Sequence, residues 1–228
     1  MLSGTVGVGD DEGFIFTGPD QLDSEASLFL AVDSTVQSLI TLDDADLVNI
    51  EHLTLSNALH GLSAVNDSTG VVVSKLKISG HAGDGIRIET GSFLVSGTQI
   101  DSSGNAGHGI FSEEAVAILS NITANNNALS GVTVAGASDR VEDVQVNGNG
   151  ESGLVIIGVV SSVQRVIANS NAKDGIFIQS PNVELSSSET VMATGTRLRT
   201  IRSISHKATE SRFSENRPMF GCETISSS

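Results

Sequence analysis

Six polar residues occupy one repeated position of the sequence, and each of them stands directly before a glycine. These residues are His60, Asp84, His108, Ser130, Ser152 and Asp174. An imidazole held beside a carboxylate can work as an acid/base pair, and the same two groups are ligands for divalent metals. Polar residues are also common in turns simply because turns are solvated, and we favour this structural interpretation.

The glycines that follow these residues mark a repeat. They are separated by 24, 24, 22, 22 and 22 positions and are Gly61, Gly85, Gly109, Gly131, Gly153 and Gly175. One apolar pair follows each glycine, as Ile86 and Ile88 do, and a second pair precedes the next glycine, as Leu76 and Ile78 do. A third apolar column, which includes Val73, lies twelve positions before the glycine. This alternation predicts three short strands in each repeat.

Strands this short cannot bury their apolar faces alone, whereas coils stacked about 4.8 Å apart give every column a continuous interior. The predicted fold class is therefore all-β. It is a single-stranded right-handed parallel β-helix, a solenoid with coils of 22–24 residues and three short strands per coil. In such a stack Asp84 lies between His60 and His108, about 5 Å from each, and His81 lies in the same turn.

A column of asparagines precedes the same glycines by four positions. Asparagine stands there in five of six coils, at Asn57, Asn105, Asn127, Asn149 and Asn171, and His81 takes the sixth place. Asparagine tolerates turn conformations, and its amide can bond to its copy in the next coil. We interpret this column as a structural asparagine ladder.

Coil segments such as GHAGDGIRIE, GNAGHGIFSE and SNAKDGIFIQ resemble those of the pectate-lyase-like right-handed parallel β-helix superfamily, over residues 47–187. The resemblance implies three parallel sheets around an aliphatic core and a secreted or cell-surface location. Residues 1–46 then form irregular N-terminal coils or a cap, and residues 188–228 form degenerate C-terminal coils or a basic tail. The superfamily contains polysaccharide lyases, hydrolases, epimerases, phage tailspikes and modules without known chemistry, so the fold leaves the activity open.

Two short elements resemble those of polygalacturonase-like hydrolases, namely Gly107-His108-Gly109 and Arg87-Ile88-Glu89. Their order is reversed, Glu89 stands where that family has lysine, and the paired aspartates of the family are not found. Pectate-lyase-like chemistry would instead make Arg87 the base that removes a sugar proton. The candidate catalytic residues are His60, Asp84, Arg87 and His108, and the candidate binding residues are His81, Phe111 and Phe177.

The charge of the chain limits its partners. The formal net charge is −15, which opposes binding to nucleic acid through a broad electrostatic footprint. Residues 196–228 carry a formal charge of +3, so the remaining residues carry −18 and would repel a polyuronate unless calcium intervened. We expect no cofactor and leave calcium as an open alternative, because acidic clusters are present but no calcium-loop pattern occurs in the sequence.

The sequence also lacks a run of about 20 apolar residues and a signal-peptide pattern after Met1, so we expect no membrane insertion and a chain that belongs to a larger protein. Two functions remain open. The first is a non-catalytic scaffold for adhesion or glycan contact, with a polysaccharide or cell-surface glycan as its partner. The second is a polysaccharide lyase or glycoside hydrolase. We prefer the scaffold because complete catalytic motifs are missing.

Overall fold

A computed structural model describes residues 37–180 in full and, outside that range, the backbone of seven strands only. The part of the chain that is described contains strands and turns and no helix, and therefore no helix long and apolar enough to cross a membrane. The strands are β1 (Thr5–Val6), β2 (Ile15–Thr17), β3 (Ser27–Leu30), β4 (Ser38–Asp43), β5 (Asn49–Ser56), β6 (His60–Val65), β7 (Val71–Ser79), β8 (Ile86–Ile88), β9 (Leu94–Ser102), β10 (Ile110–Ser112), β11 (Val116–Thr123), β12 (Val132–Val134), β13 (Ser138–Gln145), β14 (Leu154–Ile156), β15 (Val160–Asn169), β16 (Asp174–Gln179), β17 (Glu184–Leu185), β18 (Met192–Thr194), β19 (Arg197–Ser203) and β20 (Glu223–Ser227).

The strands form two parallel sheets, and from β4 to β17 the chain alternates between them. The front sheet has the order β1-β4-β6-β8-β10-β12-β14-β16-β19-β20. The bent sheet has the order β17-β15-β13-β11-β9-β7-β5-β2, with β18 beside β15 and β3 beside β5. Each strand pairs with the strand one coil away, so the chain is a parallel β-solenoid of about six turns, and the predicted fold class is confirmed.

The second and third predicted strand segments are joined in one bent strand. In β7, Val73 lies before the bend and Leu76 and Ile78 after it, while Lys75 between them has a left-handed φ of 53°. One left-handed residue changes the direction of a strand, and the ladder of the sheet continues on both sides of it. The residues at this bend, with φ between 49° and 58°, are His52, Lys75, Gln99, Asn121, Asp143 and Arg165.

The core consists of aliphatic side chains stacked in register. In the front sheet, Ile86, Ile110, Val132, Leu154 and Ile176 are aligned one above the other, and each is 0% exposed. Full burial of one such side chain contributes about 1.5–3 kcal/mol. The interior columns that the spacing predicts therefore supply the hydrophobic stabilisation of the solenoid.

An inner asparagine ladder runs through one turn of the solenoid. It consists of Asn105, Asn127, Asn149 and Asn171, which are 1–5% exposed. The backbone N–H of each of the first three donates to Oδ1 of the next asparagine, at 2.9, 2.9 and 3.0 Å. Their side-chain amides donate to the same oxygens at 3.2, 3.3 and 3.0 Å. The predicted ladder is present in these four coils.

The first two coils of this column differ from the prediction. Asn57 is exposed and has a left-handed φ of 67°, and Ala58 takes the buried place with 0% exposure. The Ala58 N–H donates to Nδ1 of His81, and the His81 N–H donates to Oδ1 of Asn105, both at 3.2 Å. His81 therefore terminates the inner ladder.

The strands outside residues 37–180 continue both sheets. β1 pairs with β4, β2 and β3 pair with β5, β19 pairs with β16, and β20 pairs with β19. The rest of the segments 1–36 and 181–228 lies outside the described residues. The predicted divisions at residues 46 and 187 stay predictions.

Candidate functional site

The candidate site lies at the corner where the chain passes from the bent sheet to the front sheet. Neighbouring coils approach closely there. A Cβ built on Gly109 would lie 2.6 Å from the carbonyl oxygen of Gly131 and 2.7 Å from that of Ser102. Both atoms belong to the backbone and cannot move aside, so this position accepts only glycine. The repeat glycines thus lie at this corner, and the polar residue directly before each glycine lies there as well.

His60 and Asp84 lie in adjacent coils and contact each other, as the spacing predicts. The backbone N–H of Asp84 donates to Nδ1 of His60 at 2.9 Å, and that nitrogen lies 3.8 Å from Oδ2 of Asp84. A ring nitrogen that accepts a hydrogen bond carries no proton, so the proton of the neutral ring is on Nε2. His60 thus caps the backbone of the next coil.

Asp84 makes the equivalent bond one coil further on. Its Oδ1 accepts the backbone N–H of His108 at 2.8 Å, and its Oδ2 accepts a hydrogen bond from Nη1 of Arg87 at 3.0 Å. The carboxylate is 6% exposed. Both of its oxygens are therefore occupied by groups of the protein itself.

The same pattern continues along the column. Nδ1 of His108 accepts the backbone N–H of Ser130 at 3.3 Å, and Oγ of Ser152 accepts that of Asp174 at 3.3 Å. We call these four acceptors the corner ladder: His60, Asp84, His108 and Ser152. Each side chain satisfies a backbone donor in the following coil, so the column has a structural role whatever else it does.

Arg87 lies among three carboxylates and an aromatic ring. Its guanidinium is 3.0 Å from Asp84, 3.1 Å from Glu89 and 3.3 Å from Glu113, and it stacks over the Phe111 ring at 5.0 Å. Burial alone would lower the Arg87 pKa, but the hydrogen bonds to Asp84 and Glu89 outweigh it and raise the pKa. A role as base, which the resemblance implies, would require Arg87 to lose its proton against these carboxylates.

Burial lowers the pKa of His60, His81 and His108 below the ordinary value of 6.5. The charge of Asp84 opposes this effect at His60 and His108, and the charge of Arg87 reinforces it. All three rings are therefore predominantly neutral at pH 7, the form in which Nδ1 can accept a hydrogen bond.

His81 differs from the other candidate residues because it lies on the interior side of the corner. It is 2% exposed and belongs to the interior, and its Nε2 has no hydrogen-bond partner. The predicted binding residue Phe111 lies at the surface beside His108, with ring centroids 5.1 Å apart. His81 therefore has no surface on which it could contact an external ligand.

A second asparagine ladder, which the sequence analysis missed, lies at the same corner. Asn147 N–H donates to Oδ1 of Asn125 at 2.6 Å, and Asn169 N–H donates to Oδ1 of Asn147 at 2.8 Å. Ser103 Oγ accepts the N–H of Asn125 at 3.1 Å and ends the series. The signal was available, because these residues precede the repeat glycines by six positions in successive coils.

An open groove of about 280 Å³ lies beside His108 and Ser152, the last two members of the corner ladder. Val155 and Phe177 on the front sheet provide its apolar surface, and Lys173 bonds to Glu151 at 2.5 Å across its rim. The predicted binding residue Phe177 thus lies in a concave surface. The lining residues are His108, Ser130, Thr133, Glu151, Ser152, Val155, Lys173, Asp174 and Phe177.

Among the residues that the structure describes, no group of three or more His, Cys, Asp or Glu side chains is arranged to hold a metal ion. Asp84 uses its two carboxylate oxygens on the His108 N–H and on Arg87, and His60 and His108 each use Nδ1 on a backbone N–H. Metal binding at this column would require those hydrogen bonds to be given up. Calcium binding stays a prediction.

The two parallel sheets and the two asparagine ladders define a parallel β-solenoid with an asparagine-lined turn. The family model described as the right-handed β-helix region matches residues 60–196. The chain belongs to this right-handed β-helix family, and the predicted pectate-lyase-like resemblance is consistent with it. No curated protein and no solved structure matches the chain significantly.

Proposed function

We propose that the chain is a non-catalytic β-helical module of a secreted or cell-surface protein and serves as a scaffold for adhesion or glycan contact. One observation carries the proposal: the side chains that could do acid/base chemistry accept backbone N–H groups of the neighbouring coil. A general base needs a free lone pair directed at the substrate. At His60 and His108 the Nδ1 lone pair is already used.

The groove beside Phe177 is the proposed contact surface for a glycan. Sugar rings present apolar C–H faces and a rim of hydroxyl groups, and the groove combines Val155 and Phe177 with the hydroxyls of Ser130, Ser152 and Thr133. Mixed apolar and polar lining of this kind is typical of small-ligand sites.

The charges of the groove favour a neutral or amino-bearing sugar over a polyuronate. Glu151 and Asp174 contribute two carboxylates, and Lys173, which pairs with Glu151, contributes one cation. The remaining carboxylate adds to the repulsion that a strongly acidic body exerts on an anionic polymer. Calcium would be required to reverse this preference, which makes the calcium dependence of binding informative.

The experiment is a binding screen of the whole chain against neutral, amino-bearing and acidic polysaccharides, each with and without calcium. We expect a neutral or amino-bearing polymer to bind, and Phe177→Ala to weaken that binding about tenfold by removing the aromatic surface. The matched control is Gln145→Ala, an exposed residue on the bent sheet that lies outside the groove. Equal loss of binding in both variants would contradict the assignment of the groove.

The enzymatic alternative rests on the contact of His60, Asp84 and Arg87 within one corner, which a lyase or hydrolase would also need. The same screen tests it when unsaturated products and new reducing ends are measured alongside binding. Product formation that disappears in both His108→Ala and Asp84→Ala variants, with folding intact, would replace the scaffold proposal by the enzymatic one. Binding without product supports the scaffold.

A further inference from the structure

Three histidines in consecutive coils use the same ring nitrogen for the same purpose. Each accepts a backbone N–H from an adjacent coil at Nδ1. The pairs are Asp84 with His60, Ala58 with His81, and Ser130 with His108, at N···Nδ1 distances of 2.9, 3.2 and 3.3 Å. Two of these bonds belong to the corner ladder, and the third ends the inner asparagine ladder.

Each of these bonds exists only while the histidine is neutral. A protonated imidazole is a donor at both nitrogens, so its Nδ1 can no longer accept the backbone N–H. The Nδ1–H of His108 would instead face Thr133 Oγ1 at 3.5 Å, and that of His60 would face Asp84 Oδ2 at 3.8 Å. One proton therefore removes one bond between coils and leaves a backbone donor unsatisfied. At His81 the new charge would also be buried, because the residue is 2% exposed.

Several later coils make equivalent bonds with acceptors that do not titrate. In the inner ladder, Asn127 Oδ1 accepts the N–H of Asn105, and in the corner ladder Ser152 Oγ accepts the N–H of Asp174. Acid can therefore break these connections only in the first coils of the described solenoid. Asparagine thus takes the place of His81 in the later coils, and Ser152 takes the place of His60 and His108.

Some of the charged groups around the three rings raise the histidine pKa values, and others lower them. Asp84 and Glu89 favour protonation of His60, and Asp84 and Glu151 favour that of His108, whereas Arg87 opposes both. His60, once it is itself protonated, opposes protonation of His81. Burial outweighs these contributions, so all three pKa values are lowered in the folded protein.

We propose that His60, His81 and His108 form an acid-sensitive latch, which holds the first coils together at neutral pH and releases their corner when the rings take up protons. The lowered folded-state pKa values give the direction of the effect. The stabilisation is complete above the unfolded-state value of about 6.5 and is lost as the pH falls through the folded-state values. This inference does not depend on whether the groove binds a glycan.

The test is backbone amide hydrogen exchange of the whole chain, followed by NMR from pH 8 to pH 5, where the carboxylates stay ionised. Protection factors remove the intrinsic effect of pH on exchange. We expect the protection of Ala58, Asp84 and Ser130 to be constant above pH 7. Below about pH 6.5 it should fall by up to tenfold per pH unit for each proton taken up. The Asn127 amide, which bonds to an asparagine, should show no such fall.

The matched variant is His81→Asn, which places the ladder residue of the other coils at this position. Protection of Ala58 should then become independent of pH, while that of Ser130 should still fall in acid. His108→Ser, which copies Ser152, should give the reverse result. Ring titration of the unsubstituted chain by NMR requires no variant to fold. A His81 value at or above 6.5, or equal pH dependence at Ala58 and Asn127, would overturn the proposal.

Discussion

Replacement of Asn149 by alanine tests how much one rung of the inner ladder contributes. The side chain is 1% exposed and makes four hydrogen bonds. Its Oδ1 accepts from the backbone N–H of Asn127 at 2.9 Å and from Asn127 Nδ2 at 3.3 Å. Its Nδ2 donates to Ala124 O at 3.0 Å and to Asn171 Oδ1 at 3.0 Å. Alanine can replace none of these bonds.

The magnitude follows from the groups that the substitution leaves unpaired. The buried N–H of Asn127 loses its acceptor, and one such orphaned donor costs about 1–3 kcal/mol. The carbonyl of Ala124 loses a donor as well, and the missing amide leaves a small cavity. We expect Asn149→Ala to lower the free energy of unfolding by about 3 kcal/mol.

Equilibrium urea unfolding at pH 7, followed by circular dichroism, measures this difference. The matched control is Asn126→Gly, an exposed neighbour of the ladder with a left-handed φ of 56°, which glycine also adopts. We expect the control to change the free energy by at most about 1 kcal/mol. Equal destabilisation in the two variants would refute the argument that buried, satisfied amides hold the coils together.

Three further predictions concern the corner and the core. Gly109→Ala should lower the melting temperature strongly, because the added methyl would lie 2.6 Å from the carbonyl oxygen of Gly131; an unchanged melting temperature would contradict the close approach. Ile110→Val should cost about 0.5–1.5 kcal/mol and Ile110→Ala about 2–5 kcal/mol in urea unfolding, since the residue is 0% exposed; equal costs would contradict its burial in a packed core. Asp84→Asn keeps an acceptor for the backbone but loses the ion pair with Arg87. It should therefore destabilise less than Asp84→Ala, and a double-mutant cycle with Arg87→Ala should show positive coupling.

Much of the fold could be predicted because a solenoid converts sequence spacing directly into spatial neighbours. Residues 22 or 24 positions apart, such as Ile86 and Ile110, become partners in register once the coil length is known. The same rule placed His60 beside Asp84, where their side chains contact each other. No long-range information was needed, because every coil contacts mainly the coils next to it.

Other features depend on backbone geometry that the repeat does not encode. Lys75 and Arg165 adopt the left-handed conformation at the bend of the bent sheet, although neither residue type favours it, so two predicted strands became one. Asn57 matches the ladder spacing but is exposed, and Ala58 fills the buried place. Spacing identifies the residues of a column without identifying the direction of each side chain.

The corner residues show the same limit in chemical terms. The sequence brings His108 near Asp84, yet it does not say which atom each side chain offers to which partner. The contact runs from the His108 backbone N–H to the Asp84 carboxylate, and the His108 ring turns to the following coil. Asp84 and His108, which the spacing suggests as an acid/base pair, therefore each accept a backbone N–H from the coil that follows.

The ladders have opposite directions, and this has a consequence for how such a chain can grow. In the inner ladder a backbone N–H donates to the side chain of the following coil, whereas in the second asparagine ladder, that of Asn125 and Asn147, it donates to the side chain of the preceding coil. Every central coil therefore carries the donors and acceptors that either neighbour requires. A duplication or deletion of one 22-residue coil in this region would leave matching surfaces at the junction, so evolution can adjust the length of the solenoid in whole coils.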